Sequence, residues 1–227
     1  AGNSGTLARM LIAIIGTQSN LKIKIYGDNS LNKRDMKRII EPLSKIGCNF
    51  YPKNKTTLPL IVEGTSMPLA QRHIETIGSA QVKSAILLAA LNTHGITEVE
   101  VEKKSRDHTE NLLSIINADI KIKKFKKGHL ISLKGKKNLT NFISKIPGDP
   151  SSSAPFVILA LLAKNSKLLI KNVNCNNTRI GFINILKKMN ANIKIKNKKK
   201  KYGETVGDVL VKSSSLKSIN CPKYLTP

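Results

Sequence analysis

Three arginines set the architecture of this chain. Arg34, Arg106 and Arg179 stand 72 and 73 residues apart, each at the head of a stretch with helical periodicity. The stretches read KRDMKRIIEPLSKIG, RDHTENLLSIIN and RIGFINILKKMN. The 227 residues hold only six arginines beside 33 lysines, so half of the arginines fall on one equivalent position. Their surroundings recur as well. GNSGTLARMLIAIIG (2–16), GSAQVKSAILLAALN (78–92) and GDPSSSAPFVILALLA (148–163) each place Gly and small polar residues ahead of a mostly apolar helix. In the second of these, Val82, Ala85, Ile86, Ala89 and Ala90 keep helical spacing, and only Lys83 is charged. A β-rich run follows each helix: NLKIKIYG, GITEVEVE and SKLLIKNV. Two more strands follow each arginine-headed helix.

The chain is therefore a three-fold repeat of helix, strand, helix, strand, strand, with a period longer than that of ordinary solenoids. The first helix of each unit is apolar nearly all round, which predicts burial on most sides; the second is amphipathic and predicts an outer layer. The expected fold is α/β, built of repeated units packed around shared buried helices rather than on an open doubly wound sheet. Lysine runs at 52–57, 121–129 and 194–204 fall between the last two strands of each unit, where hairpin turns are expected.

Composition narrows the partners. A formal net charge of +25 attracts anions: nucleic acid, acidic membrane or phosphorylated metabolites. Aromatic residues make up 4% and there is no Trp, so the lysine runs lack the stacking residues of a nucleic-acid surface. No apolar run reaches membrane-spanning length. Three scattered cysteines without a CxxC or Cys/His cluster suggest a reducing compartment and no metal. The chain opens at Ala1 inside a motif and closes at Pro227 without a terminating element, which leads us to expect a fragment of a longer protein.

A helix N-terminus presents unpaired N–H groups and partial positive charge. Small residues let an anion approach, and Ser or Thr hydroxyls add donors. Each unit has one such start, with Asn3/Ser4/Gly5/Thr6, Ser79/Ala80/Gln81 or Ser151/Ser152/Ser153, and a second headed by an arginine, whose guanidinium matches phosphate and carboxylate oxygens. A single start of this kind is an ordinary cap. Repetition of both points to a cleft for small, multiply anionic ligands.

GNSGTLAR, GDNSLNKRDMKRIIEPL, GSAQVKSAILLAALNTHGITEV, RDHTENLL and PGDPSSSAPF, in this order and spacing, closely resemble the 3-phosphoshikimate 1-carboxyvinyltransferase (EPSP synthase) family. The resemblance implies the enolpyruvyl transferase fold, an inside-out α/β barrel, here incomplete. It also implies transfer of the enolpyruvyl group of phosphoenolpyruvate to the 5-hydroxyl of shikimate 3-phosphate, with release of phosphate and no metal or organic cofactor. Carried over position by position, it assigns Gly5, Arg34 and Gln81 to phosphoenolpyruvate. Ser79, Ala80, Gln81 and Arg106 go to shikimate 3-phosphate, and Asn3 and Thr6 shape the first loop. The family's catalytic groups fall outside these residues, so none is expected here and the chain alone should be inactive. Residues 1–146 would form part of a first domain and 147–227 the start of a second. A cytoplasmic protein, monomeric when complete, with anionic metabolites rather than nucleic acid or membrane as partners, completes the expectation.

One position departs from the pattern: the family usually has Pro after the arginine matched by Arg34, and this chain has Asp35. Two alternatives remain at this point. The UDP-N-acetylglucosamine enolpyruvyl transferases share the fold, but use a cysteine in the loop matched by GDNSLNKRD, which has none here. A basic nucleic-acid-binding repeat module would instead rest on the charge alone.

Overall fold

A computed structural model describes residues 1–221. The first repeat comprises α1 (Gly5–Ile15), β1 (Lys22–Ile25), a one-turn α2 (Asn29–Asn32), α3 (Lys37–Ile46), β2 (Asn49–Tyr51) and β3 (Leu60–Glu63). The second adds β4 (Arg72–Glu75) ahead of α4 (Ala80–Leu91), β5 (Ile96–Val101), α5 (His108–Ile115), β6 (Asp119–Lys124) and β7 (His129–Lys134). The third is α6 (Pro150–Leu162), β8 (Lys167–Asn174), α7 (Gly181–Lys188), β9 (Asn192–Lys201) and β10 (Glu204–Lys212). The predicted order of elements is present in all three.

Each repeat builds the same sheet. The strand orders are β1-β3-β2, β5-β7-β6 and β8-β10-β9, antiparallel throughout, with β4 added parallel to β5. The last strand of every unit is thus the central one, which explains its alternating apolar pattern: Leu60 and Val62, Ile131 and Leu133, Val209 and Val211 are all buried.

The strand between helix and centre is left at an edge, and this corrects the reading of the lysine runs. Lys121, Lys123 and Lys124 belong to β6, and Lys194 to Lys201 belong to β9; the third turn is only Tyr202 and Gly203. Lysines along an exposed edge keep other strands from pairing with it. The arginines are also displaced from where periodicity put them. The second helices begin at Lys37, His108 and Gly181, so each arginine precedes its helix by two or three residues.

The chain divides into two compact units: Ala1–Ser105 with Ile116–Thr140, and Arg106–Ile115 with the chain from Asn141 onward. Helix α5 thus keeps company with the third repeat, although β5 and β6 on either side of it belong to the first unit.

In the first unit α1 packs on α4, and α4 is buried along its length through Val82, Lys83, Ala85, Ile86, Leu87, Ala89 and Ala90. At about 25 cal/mol per Å2, each large apolar side chain buried this way contributes about 1.5–3 kcal/mol. The second unit has its own core of Val157, Leu161, Val173, Ile183, Val209 and Val211. The other two apolar helices are less enclosed than their composition predicts. Leu7, Leu11 and Ile14 of α1, and Phe156, Leu159 and Leu162 of α6, remain exposed. No helix among the described residues is long and apolar enough to cross a membrane.

Candidate functional site: an anion seat at paired helix starts

Helices α1 and α4 lie side by side and start together. Gln81 Nε2 donates to Thr6 Oγ1 at 2.7 Å in their first turns, and the Asn92 amide donates to the Thr17 carbonyl beyond their last turns. Both pairs are 75 residues apart, so the helices run parallel in matching register, as copies of one unit should. Their N-terminal dipoles reinforce each other at one end. Ser4 Oγ caps α1 by accepting from Leu7 N at 3.1 Å, and Ser79 Oγ caps α4 by accepting from Val82 N at 3.4 Å.

Three guanidiniums gather at that end. Arg9 Nη1 donates to the Gln81 amide oxygen at 2.8 Å and reaches the Gly5 carbonyl at 3.4 Å; Arg9 Nη2 reaches the Asp35 carbonyl at 3.4 Å. A Cβ on Gly5 would lie 2.8 Å from Arg9 Nη1 and 3.3 Å from Arg34 Nη1, so both arginines press on the space that glycine leaves. Burial lowers the Arg9 pKa from its ordinary value; the charges of Arg34 and Arg38 lower it further, and Asp35 works the other way. A half-buried guanidinium with two like neighbours and one acid leaves a local excess of positive charge. Beside it is a cavity of about 310 Å3 lined by Arg9, Asp35, Arg38, Ser79, Gln81 and Val82. A second hollow of about 390 Å3, at Lys22, Asn49, Glu63 and Thr65, has no arginine and contains the Lys22–Glu63 pair, so it lacks the excess charge.

The loop ahead of α1 is held by its polar residues. Asn3 Nδ2 donates to Asp28 Oδ2 at 2.6 Å, and Asp28 caps α2 by accepting from Leu31 N at 2.7 Å. Those two bonds draw the Asp28 carboxyl below its ordinary range. Asp35 is turned toward α3: its Oδ1 accepts from Lys37 N at 2.8 Å, and that bond, with one from the Thr56 side chain, holds its pKa down. The position where the family usually has Pro therefore supplies an acceptor for the first N–H of α3 and also lines the cavity.

The structure thus brings together Gly5, Thr6, Arg34, Ser79 and Gln81, with Ala80 as the first residue of α4 and Asn3 pinning the neighbouring loop. Arg106 belongs to the second unit and is exposed just ahead of α5. In the same unit Arg179 Nη2 pairs with Asp149, the cap of α6, and donates to Ser151 Oγ at 2.9 Å. Sequence reasoning missed Arg9 and Arg38. The signal was present: Arg9 is the only charged residue of α1, four residues after Gly5, and Arg38 follows Arg34 by the same interval. Among the described residues no group of three His, Cys, Asp or Glu side chains is placed to hold a metal ion.

Parallel helix starts crowned by arginines define the class: an α/β repeat protein with a basic cavity beside two paired helix starts. Residues 1–223 match the family described as EPSP synthase (3-phosphoshikimate 1-carboxyvinyltransferase). Curated 3-phosphoshikimate 1-carboxyvinyltransferases from Petrotoga mobilis and Bartonella tribocorum are 46% and 44% identical over the whole chain. The chain spans about half the length of these relatives, 52% and 51%. The EPSP synthase of Acinetobacter baumannii superposes with a TM-score of 0.84 at 35% identity, over 99% of this chain and 50% of that one. The enolpyruvyl transferase NikO of Streptomyces tendae shares the fold, with a TM-score of 0.61 at 12% identity over 92% of this chain and 46% of that one. The chain belongs to the EPSP synthase family.

Proposed function

We propose that the protein to which these residues belong transfers the enolpyruvyl group of phosphoenolpyruvate to the 5-hydroxyl of shikimate 3-phosphate. The cluster of Gly5, Arg9, Arg34 and Gln81 carries this reading: a glycine-lined helix start, two guanidiniums and an amide converge on one space. In the reaction the 5-hydroxyl gives up its proton as its oxygen adds to C2 of phosphoenolpyruvate, and C3 gains a proton. The tetrahedral intermediate then loses phosphate from C2 and the proton from C3.

Arg34 and the N–H groups around Gly5 take the carboxylate and phosphate of phosphoenolpyruvate, where fixed positive charge favours the developing anion. Ser79, Ala80 and Gln81 hold shikimate 3-phosphate on the start of α4, with Arg106 as its further contact. Gln81 belongs to both sets, and its amide orientation is held by Arg9 on one side and Thr6 on the other. The proton-transfer groups lie outside the 227 residues. The same reading places the first domain at 1–146 and the opening of the second at 147–227. It also describes a cytoplasmic monomer that needs no metal or organic cofactor and has no nucleic-acid or membrane partner.

The sister reaction on UDP-N-acetylglucosamine is disfavoured by Cys48. Its thiol is buried, donates to the Gly16 carbonyl at 3.0 Å, and is pushed up to about 12 by burial, so it supplies no thiolate. The test is phosphate release from phosphoenolpyruvate by the full-length protein. Release that depends on added shikimate 3-phosphate supports the reading. Release that depends on UDP-N-acetylglucosamine, or on neither acceptor, rejects it.

A further inference from the structure

The second unit contains a polar cluster that the reaction does not account for. Glu204, the first residue of β10, has a side chain only 14% exposed. Its Oε1 meets His108 Nδ1 at 2.7 Å and accepts from Asn111 Nδ2 at 3.3 Å. Its Oε2 accepts from Asn174 Nδ2 at 3.2 Å and Asn176 Nδ2 at 3.0 Å. Asp107 joins the same cluster: its Oδ1 accepts from Asn176 Nδ2 at 2.7 Å, Asn111 Nδ2 at 3.4 Å and Thr178 Oγ1 at 3.5 Å. Burial alone would raise the Glu204 pKa, but bonds from His108, Asn176 and Asn111 outweigh it and draw the pKa below its ordinary value.

The backbone makes the same contact. Gly203 has φ +77, and a Cβ there would lie 2.8 Å from the Asn111 carbonyl oxygen. The tip of the β9–β10 hairpin therefore touches α5 directly, and only glycine fits both the turn and the approach.

We infer that Glu204 is a positioning residue for Arg106. Arg106 is exposed and precedes α5, so the helix does not fix its backbone. The two residues that follow it, Asp107 and His108, are each tied to the cluster, and Glu204 with Asn176 is its hub. A carboxylate that accepts four donors is a rigid anchor, since freeing any donor leaves a buried polar group unpaired. Fixing residues 107 and 108 fixes where the Arg106 side chain departs from the chain. That removes ordering cost which would otherwise fall on ligand binding. The inference rests on the proposal that Arg106 contacts shikimate 3-phosphate.

The experiment is a double-mutant cycle in the full-length protein. Glu204→Gln keeps shape but turns an amide N–H2 toward the asparagine donors; Asn176→Ala removes one bond to each carboxylate. Each is made alone and with Arg106→Ala. Shikimate 3-phosphate binding is measured by calorimetry, both KM values and kcat by phosphate release, and folding by Tm. Either single substitution should weaken shikimate 3-phosphate binding about 5- to 10-fold, with kcat and the phosphoenolpyruvate KM within about 2-fold. In the Arg106→Ala background it should add nothing. Additive losses, equal losses for both ligands, or a lower Tm with unchanged binding would overturn the inference and leave the cluster a joint that only stabilises. Failure of the unsubstituted protein to bind shikimate 3-phosphate would instead overturn the functional proposal on which the inference stands.

Discussion

Gln81 stands between Thr6 and Arg9, donating to one at 2.7 Å and accepting from the other at 2.8 Å. The side chain is thereby fixed in one amide orientation, and α4 is tied to the first turn of α1. Truncation to Ala would free a half-buried guanidinium and a helix-start hydroxyl together. Loss of a hydrogen bond to a charged group costs about 1.5–3 kcal/mol, or roughly 10- to 100-fold in affinity. In the full-length protein Gln81→Ala should weaken both phosphoenolpyruvate and shikimate 3-phosphate to that extent. Titration of each ligand separately checks it; an effect on only one would remove Gln81 from the shared set.

Gly5→Ala should divide the two ligands. The new Cβ meets the ends of two flexible arginine side chains rather than backbone, so the fold should tolerate it. The guanidiniums must shift, and with them the anion seat. The phosphoenolpyruvate KM should rise at least about 10-fold while the shikimate 3-phosphate KM changes by less than about 3-fold, a discrimination of at least about 1 kT between the two ligands. Steady-state kinetics varying each substrate in turn decides this, and equal changes would reject the assignment of Gly5.

Asp35 lines a cavity together with two arginines, Ser79, Gln81 and Val82. Asp35→Asn keeps the acceptor for Lys37 N at the start of α3. It removes one negative charge near an anionic ligand. The phosphoenolpyruvate KM should fall about 2- to 5-fold at low salt, an advantage that should shrink as salt screens it. A KM that is unchanged or higher would show that the carboxylate faces solvent in the bound state.

Acid should loosen the second unit through Glu204. Its folded pKa is depressed below the ordinary 4.5, so its stabilising contribution is complete above that value. The contribution is lost as pH falls below 4.5 toward the depressed folded value. Tm measured from pH 6 downward should decline in this window, and Glu204→Gln should flatten the decline. Parallel curves for the two proteins would exclude Glu204 as the source.

The buried thiols should resist labelling. Cys48 is pushed up to about 12 by burial, and burial also raises Cys175. Cys221 is exposed. At pH 8 a thiol reagent should modify one cysteine quickly in the native chain and all three in denaturant. Fast modification of two or more would show that Cys48 or Cys175 is not buried as described.

Much of this was legible in one dimension because its causes are local. Helical spacing, cap residues and alternating strands depend on neighbours within a few positions, so the repeat, the succession of helices and strands along the chain and the starts at Ser4 and Ser79 follow from the letters alone. The spacing of Arg34, Arg106 and Arg179 marked the period of the repeat. Strand order was not legible: nothing local says that the last strand of each unit lies at the centre, which is why the lysines of β6 and β9 read as turns.

Tertiary structure alone decided which groups meet. Arg9 and Gln81 are 72 residues apart, Thr6 and Gln81 are 75 apart, and His108 and Glu204 are 96 apart. Such contacts exist because apolar helices and sheets bury one another and carry their polar ends along. The packing that brings Arg9 to Gln81 is set by buried side chains such as Ala8, Ile12, Ala85 and Ile86, not by the polar residues it delivers.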